Sequence, residues 1–333
     1  MTLIPNHDDT NQTPGQMKPP ITGQSVFLVL LFSVLLFFGM SVFFFILAAS
    51  QVLLDSYDGV PQVDVLKQDQ EKILDGVMEM ISAGVSHWTP MMQFTWMLNQ
   101  AIIILPAFIF LRMRRLSTVI HFRLKSVPIP FIIYAVIIGI AIAVLGDELS
   151  RLVDLVKPIP DYLSESLKRI LTFKSATDFF TLLLTICVVA PIVEEGLFRG
   201  FVQRWFEQNR GVTSGVLATS AIFALVHANL YFLIPILLMA VIMGAMAWRV
   251  ESIWPPVVVH AVNNAAGLFA SNTLGTEDPV WYGFGKHVAP WWLALALILL
   301  IWSLRRYFRL AEVLRLGGHG PRGDSGSNLN LLA

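Results

Sequence analysis

The chain has 333 residues; 55% are hydrophobic, 14% are charged, and 23 basic and 23 acidic side chains cancel. A soluble domain carries about a quarter charged residues, so this composition points to a polytopic membrane protein, and the absence of net positive charge argues for no nucleic-acid partner. The single cysteine, Cys187, lies in an apolar run, which excludes an internal disulfide and a thiolate metal site.

Residues 1–22, with Pro5, Pro14, Pro19 and Pro20, read as a disordered cytoplasmic tail. Residues 23–174 hold the first transmembrane helices and their loops. The stretch from Val26 to about Ala49 is too long for a signal-peptide core, and no small-residue cleavage site follows it. Eight apolar stretches, at about 24–50, 92–111, 128–146, 177–198, 213–230, 232–249, 254–271 and 289–304, approach or exceed the length that crosses roughly 30 Å of hydrocarbon. The expectation is an all-α, polytopic membrane helix bundle of about eight transmembrane helices. Residues 175–272 carry its chemistry, 273–316 its last helix and 317–333 a flexible tail. The loop 51–91 is acidic, and Val65–Ile81 within it reads as a short amphipathic helix.

Lys18 precedes the first span, and basic clusters fall on alternate loops: Arg112, Arg114, Arg115, Arg123 and Lys125, then Arg199, Arg204 and Arg210, then Arg249, then Arg305, Arg306, Arg309 and Arg315. The positive-inside rule therefore places both termini in the cytoplasm.

Ionisable residues inside spans are costly and mark function. Here they cluster. Glu194 and Glu195 end the apolar part of the fourth span, His227 lies in the fifth, and His260, Asn263 and Asn264 lie in the seventh. Glu194 and His227 are equidistant from the polar turn at Asn209–Gly211, so in an antiparallel helix pair they share a level. His260 is about six residues, or roughly 9 Å, into its own helix. These three side chains are expected to meet in a pocket open to the cytoplasm. Glu195 and Arg199 stand four residues apart with the acid first, the favourable order for an ion pair. Asn264 is four residues beyond His260 and can orient the imidazole or donate to a substrate oxygen. Pro191 removes a backbone hydrogen bond near the site. A carboxylate and two imidazoles around a wet pocket can activate water, as in a hydrolase, or bind zinc. The zincin pattern H-E-x-x-H is absent.

The segments "EEGLFR" (Glu194, Glu195, Arg199), "FALVH" (Phe223, His227) and "HAVNN" (His260, Asn264) resemble, in this order, the three motifs of the CPBP family. That family comprises CAAX-processing and bacteriocin-processing intramembrane endopeptidases, also called the Abi family. The resemblance implies a membrane-embedded protease core. Glu194 would act as general base on a water with His227 beside it, His260 and Asn264 would hold the water or the oxyanion, and Glu195 and Arg199 would support them. Some members are described as metalloproteases, and a metal-free glutamate mechanism is argued for others. If zinc or another divalent metal is used, Glu194, His227 and His260 are its ligands, and Glu194 is then no free base. The implied substrate is a membrane-associated peptide or protein, CAAX-like or bacteriocin-like, presented in the lipid bilayer. Two other classes compete: a non-catalytic scaffold or immunity member of the same fold, and a proton-coupled transporter. The transporter predicts inverted repeats, whereas the polar residues here occupy only the second half of the chain.

Overall fold

The computed structural model describes residues 21–55, 90–273 and 279–317. The expected helix at Val65–Ile81 and nearly all of both tails lie outside the described residues. Each of the eight apolar stretches is helical, as lipid demands, because a helix satisfies its own backbone polar groups. The first is α1 (Gly23–Asp55). The second is divided into α2 (Pro90–Ile102) and α3 (Leu105–Met113). Pro106, which lacks an N–H, stands in the first turn of α3, where that donor is not needed. A short α4 (Thr118–His121), capped by the Ser117 side chain, precedes α5 (Ile129–Val156).

The region after α5, where the sequence shows only mixed charge, forms α6 (Asp161–Leu171). Then comes one long helix, α7 (Ala176–Arg210), whose N-cap Ser175 accepts a hydrogen bond from Asp178 N–H. The remaining helices are α8 (Val212–Val226), α9 (Leu233–Val250), α10 (Trp254–Thr273) and α11 (Pro290–Gly317). A two-stranded antiparallel hairpin, β1 (Gly283–Phe284) with β2 (His287–Val288), leads into α11.

Five segments are long and apolar enough to cross a membrane: Gly23–Phe44, Trp96–Met113, Ile129–Val156, Ala176–Arg210 and Leu233–Val250. Helix α8 is apolar but only 15 residues long. Helices α10 and α11 are not among the five, and in α10 the polar trio His260, Asn263 and Asn264 dilutes the apolar run. The molecule is a polytopic helical bundle. A count of eight needs α8, α10 and α11 as well.

Helix α5 runs through the packed interior against α10 and α11, with Phe131, Ala135 and Ile138 buried. Phe131 meets Tyr307 edge-to-face at 5.0 Å, and the Tyr307 hydroxyl donates to Met246 O in α9. Helices α7, α8 and α9 form the neighbouring layer. Their close approach needs small residues: Ala240 is fully buried, and a Cβ on Gly244 would stand 2.9 Å from Gln203 Oε1.

Gly200 lies beneath the loop between α4 and α5, where an added Cβ would come within 2.7 Å of Phe122 Cα. That contact is with backbone and cannot be relieved by a rotamer change. Gly200→Ala is therefore expected to destabilise the protein by about 1–3 kcal/mol, read as a lowered Tm in detergent. Gly39→Ala, where nothing lies within 4 Å, should leave the Tm unchanged or slightly raised.

Candidate active site

Helix α7 is not regular. A six-residue α-helical stretch, Ala190–Glu195, lies between two π-helical segments, Thr185–Val189 and Gly196–Val202. In such wide turns the N–H bonds five residues back instead of four, and they recur at functional sites. Ala190 N–H bonds to Thr185 O, and Gln203 N–H bonds to Phe198 O. The expected loss of a hydrogen bond at Pro191 falls at the first wide turn. Pro191 is the residue five beyond Ile186 and has no N–H to offer its carbonyl. Asn264 supplies the donor: its Nδ2 lies 2.9 Å from Ile186 O.

The two glutamates project differently, as neighbours on a helix must. Glu195 is fully buried. Its Oε1 accepts from Arg199 Nη1 at 2.9 Å and faces His260 Nδ1 at 3.0 Å. Because a carboxylate only accepts, the imidazole is read as Nδ1–H donating to Glu195, which leaves Nε2 unengaged by that pair. The guanidinium of Arg199 also donates to Ala240 O and stacks 4.1 Å from the Phe223 ring centre.

Glu194 is only partly shielded. Its Oε2 is buried without a hydrogen-bond partner among the described residues and stands 3.9 Å from His227 Nε2. His227 caps the end of α8, and its Nδ1 lies 2.7 Å from Phe223 O. That bond, with Nδ1–H donating, directs Nε2 towards Glu194 as the free nitrogen. The structure thus brings together Glu194 with His227, and Glu195 with Arg199 and His260.

Asn264 sits differently from its spacing. Its Nδ2 braces α7, while the His260 imidazole is oriented by Glu195. Phe223, to which the sequence gives a place in a motif but no role, and Gln203, which the spacing arguments passed over, also shape the site. Phe223 packs within 6 Å of His227, His260 and Phe198 as well as on Arg199. Gln203, four residues beyond Arg199 on the same stripe of α7, donates to Gly244 O and Glu207. The repeat Glu195, Arg199, Gln203, Glu207 was the available signal for it.

As arranged, Glu194, His227 and His260 do not offer three converging donors. Among the described residues no group of three His, Cys, Asp or Glu side chains is placed to hold a metal ion, and His260 is engaged with Glu195 through Nδ1.

All three motifs fall within one stretch that has recognisable relatives. Residues 176–266 match the type II CAAX prenyl endopeptidase Rce1-like family. Over that stretch the chain is similar to CAAX-type membrane endopeptidases, in line with the resemblance of its three motifs. The chain is also similar to an uncharacterised 24.3 kDa protein of Escherichia coli, 28% identical over 152 residues, which is 44% of this chain and 65% of the relative's length. No solved structure matches.

The buried Glu195–Arg199 pair generates a stability prediction. Removing one partner leaves an uncompensated buried charge, which costs about 3–5 kcal/mol. Arg199→Ala and Glu195→Gln should each lower the Tm markedly in detergent. The double variant should cost much less than the sum of the two, because they act as one unit. Additive losses in a double-mutant cycle would show that the pair does not couple.

Proposed function

We propose that this protein is an intramembrane endopeptidase in which Glu194 activates a water against a peptide carbonyl. The observation that carries the reading is the 3.9 Å separation of Glu194 Oε2 from His227 Nε2. It is too long for a hydrogen bond and suited to one molecule between them. A water about 2.8 Å from each would subtend an angle of roughly 90°, close to what its two hydrogens need. Glu194 takes a proton as the water oxygen attacks the carbonyl carbon. The C–N bond then breaks, and the same proton passes to the leaving amine. His227 holds the other side of the water. His260, fixed through Nδ1 by Glu195, keeps Nε2 for the substrate or the developing oxyanion. Asn264 acts by holding the wide turn that precedes the glutamates. The substrate is a membrane-associated peptide or protein of CAAX-like or bacteriocin-like type, reached within the bilayer.

Glu194→Gln preserves the shape and removes the base. Its kcat should fall by about two orders of magnitude or more while the Tm stays near wild type, and His227→Ala should fall comparably. The assay is cleavage of an identified substrate in proteoliposomes, with and without a chelator. Full activity of Glu194→Gln would overturn the general-base role. Loss of wild-type activity on chelation, restored by zinc, would move Glu194, His227 and His260 to a metal-ligand role.

We further propose that both termini face the cytoplasm, supported by the alternation of basic loops. Reporter fusions at positions 120 and 325 should report a cytoplasmic location, and one at position 70 an external location. An external signal from position 325 would reverse the orientation of the last helix.

A further inference from the structure

Arg123 belongs by sequence to a basic loop, yet its side chain is almost wholly buried, 2% exposed, and its backbone takes φ +51°. Burial of an arginine together with a left-handed backbone is a costly combination, and the contacts show what it secures. The guanidinium reaches into the end of α7. Nη1 donates to Arg199 O at 3.1 Å and to Glu207 Oε1 at 3.3 Å. Nη2 pairs with Glu207 Oε2 and lies 3.4 Å from Glu251. Arg204 holds the other oxygen of Glu251 at 3.1 Å. The backbone around Arg123 is tied to the start of α10. Ile253 N–H donates to Arg123 O, the Ser252 hydroxyl donates to Lys125 O, and Trp254 Nε1–H donates to Leu124 O.

The carbonyl of Arg199 is the telling partner. In a regular α-helix its donor would be Gln203 N–H, but the second wide turn takes that N–H to Phe198 O. Arg123 therefore does for the Arg199 carbonyl what Asn264 does for Ile186. Each π segment leaves a carbonyl without its α-helical donor, and a side chain from another element supplies one. The two glutamates lie between these two braced turns.

We infer that Arg123 is a positioning residue. By holding the Arg199 carbonyl it stabilises the wide turn Gly196–Val202, and so sets the rotation at which Arg199 meets Glu195 and Glu195 meets His260. The catalytic part of this inference rests on the endopeptidase reading; the structural part does not.

The test separates the carbonyl contact from the ion pair. Arg123→Lys keeps a charge for Glu207 but replaces the rigid planar fork with a compact ammonium, which lacks the two-nitrogen geometry that reaches both Glu207 oxygens and the Arg199 carbonyl at once. The full-length variant is compared with wild type in proteoliposomes by substrate cleavage and in detergent by amide hydrogen exchange. The expected result is a Tm near wild type, faster exchange confined to residues 196–204, and kcat lowered about tenfold with KM within about twofold. Wild-type exchange and wild-type kcat in the lysine variant would overturn the inference. Should Arg123→Lys fail to fold, Glu207→Gln decides. That change spares the carbonyl contact, so residues 196–204 should keep their protection relative to the rest of α7. Exchange accelerated in that stretch alone would assign the brace to the ion pair and overturn the proposal. If wild type cleaves nothing, the endopeptidase reading falls, and the exchange comparison still decides the role of Arg123.

Discussion

One oxygen organises this molecule. Glu195 Oε1 accepts from Arg199 and faces His260 Nδ1, all three groups are buried, and they come from two helices far apart in sequence. A lone carboxylate at membrane depth would be prohibitively costly. A carboxylate that receives a guanidinium and an imidazole is tolerable, provided the remaining donors also find partners. The surrounding architecture answers that condition for the two terminal guanidinium nitrogens, while Arg199 Nε and Glu195 Oε2 have no hydrogen-bond partner among the described residues. Ala240 brings a backbone carbonyl to the guanidinium, Phe223 of α8 covers its face, and small residues let α9 come close enough to present that carbonyl.

The expanded turns of α7 answer a second condition. Neighbouring glutamates on a helix diverge by about 100°. One can therefore enter the buried triad while the other keeps a less shielded face towards His227. Placing the pair between two π segments lets the helix adjust its rotation on either side without breaking. The cost is a carbonyl displaced from its usual donor at each wide turn, and buried carbonyls do not go unpaired cheaply. Asn264 and Arg123 meet that cost from outside the helix. This explains why a motif asparagine on α10 is directed at the α7 backbone rather than at the adjacent histidine.

Much of this was legible in the chain itself. Apolar run length located a helix at each of the eight apolar stretches, five of them long and apolar enough to span, because lipid leaves the backbone no alternative to internal hydrogen bonding. The four-residue interval from Glu195 to Arg199 was sufficient for their ion pair, since both ends share one helix. Equidistance of Glu194 and His227 from the Gly211 turn was sufficient to bring them together, since a helical hairpin conserves height. Helix α6 was less legible. Its charged sequence lacks a long apolar run, and its docking depends on Asn272, which donates to Leu171 O and accepts from Phe173 N–H across about a hundred residues of chain.

The sequence by itself determined the helical membrane class and the positions of the apolar helices, and it singled out the residues of the candidate site, because hydrophobic run length and helical spacing are local quantities. The tertiary structure decided the partners. That His260 is held by Glu195, that Asn264 serves Ile186 and that Arg123 is buried against Arg199 all depend on contacts between helices. Their rotation is set by packing and by the wide turns of α7, and no periodicity within a single helix encodes it.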